Sequence, residues 1–222
     1  YNETGDVSVH PTPGIGLVGL IEDRSCAVGC GFVEEGHRLL LLGAPTPTLG
    51  ATAYGRVIHG VETGAPPAVD WDAEKALQAT LRAGIVAGHI AAAHDAADGG
   101  LGVALAEMAI LGGSNGGIGD GLGATVNIPV DGGAADQERW LFGETHGCAW
   151  VAVAEESVQA LAAIAGEHGC PLRDLGRVGG ADLRVTDEQG AVVVDAPVAT
   201  LRSAWEGGLV QAVGLPPVAP RP

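Results

Sequence analysis

Residues 182–195 read DLRVTDEQGAVVVD. Short runs rich in Leu and Val stand on either side of DEQG. This pattern predicts strands near 182–187 and 191–195 joined by a tight turn. A connection so short joins antiparallel neighbours, because parallel strands need a crossover of a dozen or more residues. Helices and strands interleave along the rest of the chain, a pattern that by itself would suit a doubly wound parallel sheet. The turn near 188–190 directs the reading instead to an α+β fold: a layered sandwich of a mixed, largely antiparallel sheet with packed helices.

Working outward from the turn, a strand is expected near 172–178 and a closing helix in ATLRSAWEGG. CAWVAVA predicts a strand, and EESVQALAAIAGEHG a helix ending at Gly169. ATVNIPV reads as a strand and ADQERWLFGE as a short helix beginning near Ala135. HRLLLLGAP, 37–45, is a continuous apolar run and therefore a buried strand. Asp70 is placed as N-cap of a long helix from Trp71 to about Ala93, with Leu77, Leu81 and Ile85 along one face. Gly84 and Gly88 offer that helix a stripe for close packing. A second helix is expected from about Gly99 to Ile110, with Leu101, Leu105 and Met108 on one face. Residues 13–34 read as β-rich with glycine punctuation. TPTLGATAYGRVIHG, 46–60, is a loop leading into a turn or short helix, and the glycine-dense stretch 112–123 is a loop.

At 222 residues the chain suits one sizeable domain or two small ones. It is 46% hydrophobic but 4% aromatic, so its core must be Ala, Val, Leu and Ile. A formal charge of −16 argues against wholesale binding to nucleic acid or anionic membrane. A nucleotide is not excluded, since it needs only a local nest of N–H groups and a metal ion. No apolar run approaches the roughly 20 residues that span a bilayer. With no signal peptide in view, the expected compartment is cytoplasmic. Cys26, Cys30, Cys148 and Cys170 lack zinc-site spacing and are expected to be reduced and mostly buried.

Function is sought at HDAADGG, 94–100, where two acids and two glycines interrupt the most hydrophobic stretch. Asp98 is read as N-cap of the second helix, with Gly99 and Gly100 in its first turn. Two poor helix formers in a row suggest close approach to the backbone. Asp95 then lies beside the positive end of the helix dipole, where a carboxylate can hold Mg²⁺ and the cation can hold phosphate. The alternative makes Asp95 and Asp98 capping residues and His94 a hydrogen-bonded core residue. In LFGETHG, 141–147, Glu144, Thr145 and His146 either point into a cleft or form an ordinary helix end. Glu107 is expected at the solvent edge. His89 and His94 are a poor metal pair, because a spacing of five does not share a helix face. The glycine-dense loop lacks the GxxxxGK[ST] pattern.

Several segments together resemble one family. YNETG at the start, PTPGIGLVGLIED at 11–23, TLGATAYGRVIHG at 48–60, AHDAADGGLGVALAEMA at 93–109 and LFGETHG follow the order and spacing of phosphoribosylformylglycinamidine synthase. That enzyme's large subunit is an ATP-dependent synthetase of purine biosynthesis. The similarity is to the carboxy-terminal part of its second repeat, a domain of the aminoimidazole ribonucleotide synthetase superfamily. HDxxDGGL alone would not separate it from relatives of selenophosphate synthetase or thiamine-phosphate kinase.

The resemblance covers residues 1 to about 207. LPPVAPRP after Gly214 cannot continue a helix or sheet, so one domain over residues 1–214 and a Pro-rich tail over 215–222 are expected. The resemblance implies ATP with Mg²⁺ as cofactors. It implies a C–N ligase that phosphorylates the amide oxygen of formylglycinamide ribonucleotide before ammonia displaces the phosphate. By resemblance Asp95 is the magnesium ligand, Ala97, Gly99 and Gly100 meet nucleotide, and Glu144, Thr145 and His146 meet substrate. Relatives often carry serine where Ala97 stands, and an amide where His146 stands. A glutaminase subunit and a small subunit are the implied partners. The family's catalytic histidine, its ATP-contacting lysine and its first repeat would lie upstream, so no catalytic residue is expected in this chain and the isolated fragment is expected to be inactive. A non-catalytic interaction module and a sister enzyme of the superfamily are the alternatives.

Overall fold

RLLLLG offers no polar face, and a strand of that kind must be covered on both sides. The computed structural model describes residues 3–5, 7–8, 13–113 and 121–214 and places this run at the centre of a sheet. In chain order its elements are a small ribbon, β1 (Glu3–Thr4) and β2 (Val7–Ser8), then β3 (Arg38–Gly43), α1 (Ala53–His59), α2 (Trp71–Val86), β4 (Ala92–Asp95) and α3 (Gly100–Ile110). There follow β5 (Ala124–Asn127), α4 (Ala134–Phe142), β6 (Cys148–Val153), α5 (Val158–His168), β7 (Leu172–Val178), β8 (Asp182–Thr186), β9 (Val192–Pro197) and α6 (Val198–Ala212). The large sheet runs β4-β6-β3-β7-β5-β8-β9. Its neighbours pair antiparallel except β5 and β8, which are parallel. This is the layered α+β sandwich that the turn implies.

Side-chain alternation divides the interior in two. Leu39 and Leu41 of β3, with Cys148 and Trp150 of β6, face a layer built by Leu101, Leu105 and Met108 of α3, Trp140 of α4 and Val198 of α6. Leu40 and Leu42, with Val151 and Val153, face Leu77 of α2 and Leu161 of α5. Each fully buried leucine contributes roughly 1.5–3 kcal/mol. The Trp150 indole N–H donates to the Leu101 carbonyl at 3.1 Å, so its one polar atom is satisfied. An added Cβ at Gly84 would sit 2.8 Å from Ile90 and Leu161 side-chain carbons, so packing is close there. Gly88, however, lies beyond the helix with nothing within 4 Å and forms no stripe with it.

The DEQG turn is stabilised by its own aspartate. Asp187 is buried, and its carboxylate accepts the backbone N–H groups of Gln189 and Ala191 and the Gln137 amide of α4. Asp70 caps α2 as expected, accepting from Asp72 and Ala73.

Two expectations are corrected. The long helix stops at Val86, not Ala93: Gly88 takes φ +74 and reverses the chain, and residues 92–95 become the edge strand β4. Residues 13–34 hold no strand, only a single 3₁₀ turn at Arg24–Cys26 and an isolated bridge from Gly29 to Ala92. A strand needs a partner along its edge. Among the described residues none pairs with 13–21, and Ile15, Leu17, Val18, Leu20 and Ile21 are exposed. The expected Pro-rich tail, 215–222, and most of the glycine-dense loop, 114–120, lie outside the described residues. Among those described, no helix is long and apolar enough to cross a membrane.

All four cysteines are free, with Cys148 and Cys170 buried and Cys26 and Cys30 half-buried. Burial pushes the Cys148 thiol up to about 12, and the Asp95 and Glu74 carboxylates add to the rise. Below about pH 8.5, where a free thiol is neutral, the contribution of this buried neutral group is fully present. As pH rises toward 12, the unfolded chain ionises its thiol before the folded one does, so stability falls. At pH 8 a thiol-selective disulfide reagent is therefore expected to modify Cys26 and Cys30 and to spare Cys148 until the chain unfolds. Labelling of Cys148 in the folded chain would contradict its burial.

Candidate functional site

β4 ends at Asp95, at the edge of the sheet, and the chain turns through Ala96–Gly99 into α3. The N-cap of α3 is Gly99 rather than Asp98. Gly99 takes φ +84 and makes no side-chain cap, so the capping role expected of Asp98 is not fulfilled. Few side chains tolerate that left-handed conformation, which explains the first glycine. Gly100 has φ +74 and a further constraint, because a Cβ there would lie 2.4 Å from the Gly143 carbonyl oxygen. What approaches the backbone at the second glycine is the chain's own Gly143, just before Glu144.

Glu144 joins three segments distant in sequence. Its Oε1 accepts the N–H of Ala53, at the start of α1, at 2.8 Å and that of Gly99 at 3.2 Å. Its backbone exchanges two hydrogen bonds with Thr48. TLGATAYGRVIHG, HDAADGG and LFGETHG therefore meet at one carboxylate. Beside it opens a cavity of about 380 Å³ lined by Ala51, Thr52, Ala53, Arg56, Glu62, Asp98 and Glu144. Thr52 caps α1 by accepting from Gly55. Tyr54 stacks on Phe142 with ring centres 5.0 Å apart, and its hydroxyl bonds Glu138, seating α1 on α4.

The other expected residues are placed differently. Thr145 is buried, and its hydroxyl accepts from Thr46 N–H at 3.0 Å and faces the His146 carbonyl at 3.4 Å. His146 and Ala97 are exposed. Asp95 is 80% exposed and does not line the cavity. His94, by contrast, is held: Nδ1 lies 2.8 Å from the Asp95 carbonyl, and Nε2 lies 3.1 Å from the Glu107 carboxylate. Glu107 is partly exposed, at the rim as expected, but engaged.

Arg56 and Glu62 were not singled out from the sequence. Their signal was the capping threonine of GATAYGR, which marks a helix start and so fixes which way Arg56 projects. Among the described residues no trio of His, Cys, Asp or Glu could hold a metal by itself. Asp95 and Asp98 provide hard oxygen donors at one junction. One or two carboxylates completed by phosphate oxygens is the usual way magnesium is held with a nucleotide. The donor set therefore fits a shared nucleotide–magnesium site and no protein-only cage.

A family model for "AIR synthase related protein, C-terminal domain" matches residues 34–188, which include every site residue above. The chain belongs to this family. Within it, the phosphoribosylformylglycinamidine synthase subunit PurL of Thermomicrobium roseum is 40% identical over 211 residues, covering 95% of this chain. The chain spans only 27% of that relative's length. Among solved structures, Thermotoga maritima PurL complexed with ATP superimposes with TM-score 0.60 at 20% identity, and complexed with FGAR with 0.65 at 18%. Each alignment covers 81% of this chain and 28% or 30% of the other. The PurLQS structure from the same organism gives 0.57 at 19% identity, over 81% of this chain and 28% of that one. At such identities these structures establish the shared fold.

Glu144→Ala is expected to leave the Ala53 and Gly99 amides without their acceptor. Hydrogen bonds to a charged group are worth about 1.5–3 kcal/mol when buried, less at this half-exposed site. Amide hydrogen exchange at those two residues should accelerate, and Glu144→Gln, which keeps Oε1, should restore protection. Unchanged exchange in the alanine variant would remove the junction from Glu144's control.

Proposed function

We propose that this chain is the C-terminal AIR-synthetase-like domain, over residues 1–214, of an ATP-dependent synthetase that converts formylglycinamide ribonucleotide to its amidine. The observation that carries the reading is the meeting of three separated motifs at Glu144, beside a cavity and next to the start of α3. Forty per cent identity to PurL across 95% of the chain supports the same assignment.

In this reading Asp95 contributes an oxygen ligand to magnesium. Its exposure at the end of an edge strand leaves the carboxylate free to do so. Magnesium, when bound, neutralises phosphate charge, the main requirement of phosphoryl transfer. Ala97 forms an exposed lip with little side chain, against which the nucleotide lies, and Gly99 and Gly100, both buried, shape the turn behind it. Gly99 gives shape rather than a hydrogen bond, since Glu144 already holds its N–H. Glu144 and His146 face substrate, Arg56 adds a cation to the same cavity, and Thr145 acts from beneath by fixing the loop. No catalytic residue is assigned to this chain. The partners are ATP, formylglycinamide ribonucleotide, a glutaminase subunit and a small subunit, and the PurLQS assembly of the Thermotoga relative supports the last two. The formal charge of −16 gives nucleic acid and anionic membrane little electrostatic footing as partners. Four unpaired thiols support a reducing, cytoplasmic setting.

A second reading has support in the internal bonding of Glu144 and Thr145, which suits a scaffold that positions other domains. The two readings part at Asp95. In the complete synthetase polypeptide, Asp95→Asn should weaken Mg²⁺-dependent ATP binding by at least about tenfold, since even the loss of an outer-shell partner costs that much. The thermal midpoint should stay unchanged, because the side chain is exposed. Unaltered nucleotide affinity would favour the scaffold.

A further inference from the structure

We propose that Glu107, through His94, is the positioning residue for Asp95. The inference rests on the magnesium-ligand reading of Asp95 and names what holds that ligand in place.

Asp95 is the last residue of β4, which lies at the sheet's edge and pairs there with β6. A strand end of this kind frays unless something outside the ladder holds it. Among the described residues, Asp95's own side chain makes a single close polar approach, His94 Nδ1 at 3.5 Å from Oδ1. The firmer contact of that ring is with the backbone: Nδ1 donates to the Asp95 carbonyl at 2.8 Å. The histidine thus grips the peptide from which the carboxylate projects, and leans on the carboxylate as well.

A ring held at one nitrogen can still rotate or leave. The second nitrogen removes that freedom. His94 Nε2 lies 3.1 Å from Oε2 of Glu107, on the third turn of α3, the helix that begins at the proposed nucleotide lip. The histidine side chain is 14% exposed and the glutamate 32%, so both groups are partly withdrawn from water while Asp95 projects into it. The chain of contacts runs from Glu107 to His94 to the Asp95 peptide, spanning α3 and β4. It fixes the distance between the end of the strand and the start of the helix, which Ala96–Gly99 alone would leave to a flexible turn. Partners of this kind behind a metal ligand commonly change metal affinity by about 10- to 100-fold. The acid in the apolar stretch ALAEMAI acquires a purpose that its own helix does not give it.

The test uses the complete synthetase polypeptide with Mn²⁺ as probe, in the presence of a non-hydrolysable ATP analogue. Asp95→Asn defines the part of the Mn²⁺ binding that depends on Asp95. Glu107→Leu keeps the bulk and removes the polar partner of Nε2, and Glu107→Gln keeps a side-chain amide that can bond Nε2 whether or not that nitrogen bears a proton. The expected result is a loss of about 10- to 100-fold in the Asp95-dependent affinity for Glu107→Leu, with recovery in Glu107→Gln. Hydrogen exchange without metal provides the second readout: amides 95–99 should exchange faster in the leucine variant and return to normal in the glutamine variant. If Glu107→Leu leaves both affinity and exchange unchanged while Asp95→Asn abolishes binding, the positioning role is overturned and the ligand role stands. If Asp95→Asn itself leaves Mn²⁺ affinity unchanged, the ligand role fails, and protection of 95–99 alone decides whether Glu107 positions that segment.

Discussion

The fold depends on two strands that have no water-facing side. β3 and β6 pair along their full length, Arg38 opposite Val153 through Gly43 opposite Cys148, and nearly every residue in them is buried. Because successive side chains point to opposite faces, the pair must be covered by helices on both. That demand places α3, α4 and α6 on one face and α2 and α5 on the other. It leaves β4 outside β6 as an edge strand, ending beside the start of α3. The candidate site lies where a strand end, a helix start and the loop entering β6 are brought together by that packing.

At the site itself, one carboxylate organises backbone while two others project into solvent. Glu144 binds two amides from separate segments and gives the cavity its wall. Asp95, exposed at the end of β4, is the proposed oxygen ligand, and Asp98 is exposed beside it. A transferring phosphoryl group needs positioning and charge neutralisation more than covalent assistance from protein. The arrangement suits that division: a rigid clamp, a side-chain-poor lip and projecting acids.

Much of the fold was legible because it was local. RLLLLG and CAWVAVA read as buried strands from apolar continuity, DEQG as a turn from its residues, and Asp70 as a cap from its position before WDAEKAL. Three features were misread for identifiable reasons. AGHIAAAH has the alanine-rich composition of a helix, and only the positive φ of Gly88, a property of the folded turn, converts it into a bend and a strand. PGIGLVGLIED has the composition of a strand, but strands are made by partners, and among the described residues none pairs with it. Asp98 stands where a helix cap is expected, yet Gly99 occupies the cap because Gly100 must pass within reach of the Gly143 carbonyl. The clamp of Glu144 on Ala53, 91 positions away, and the pairing of His94 with Glu107 are tertiary contacts with no local signature.

The central claim is that the turn between β4 and α3 receives the phosphates of a nucleotide through magnesium held by Asp95. A structure of the complete polypeptide with magnesium and a non-hydrolysable ATP analogue tests it most directly. The account predicts a metal ion about 2.1 Å from an Asp95 carboxylate oxygen, with phosphate oxygens completing its coordination beside Ala97–Gly100. Nucleotide density confined to other parts of the molecule, with Asp95 still facing solvent, would contradict it.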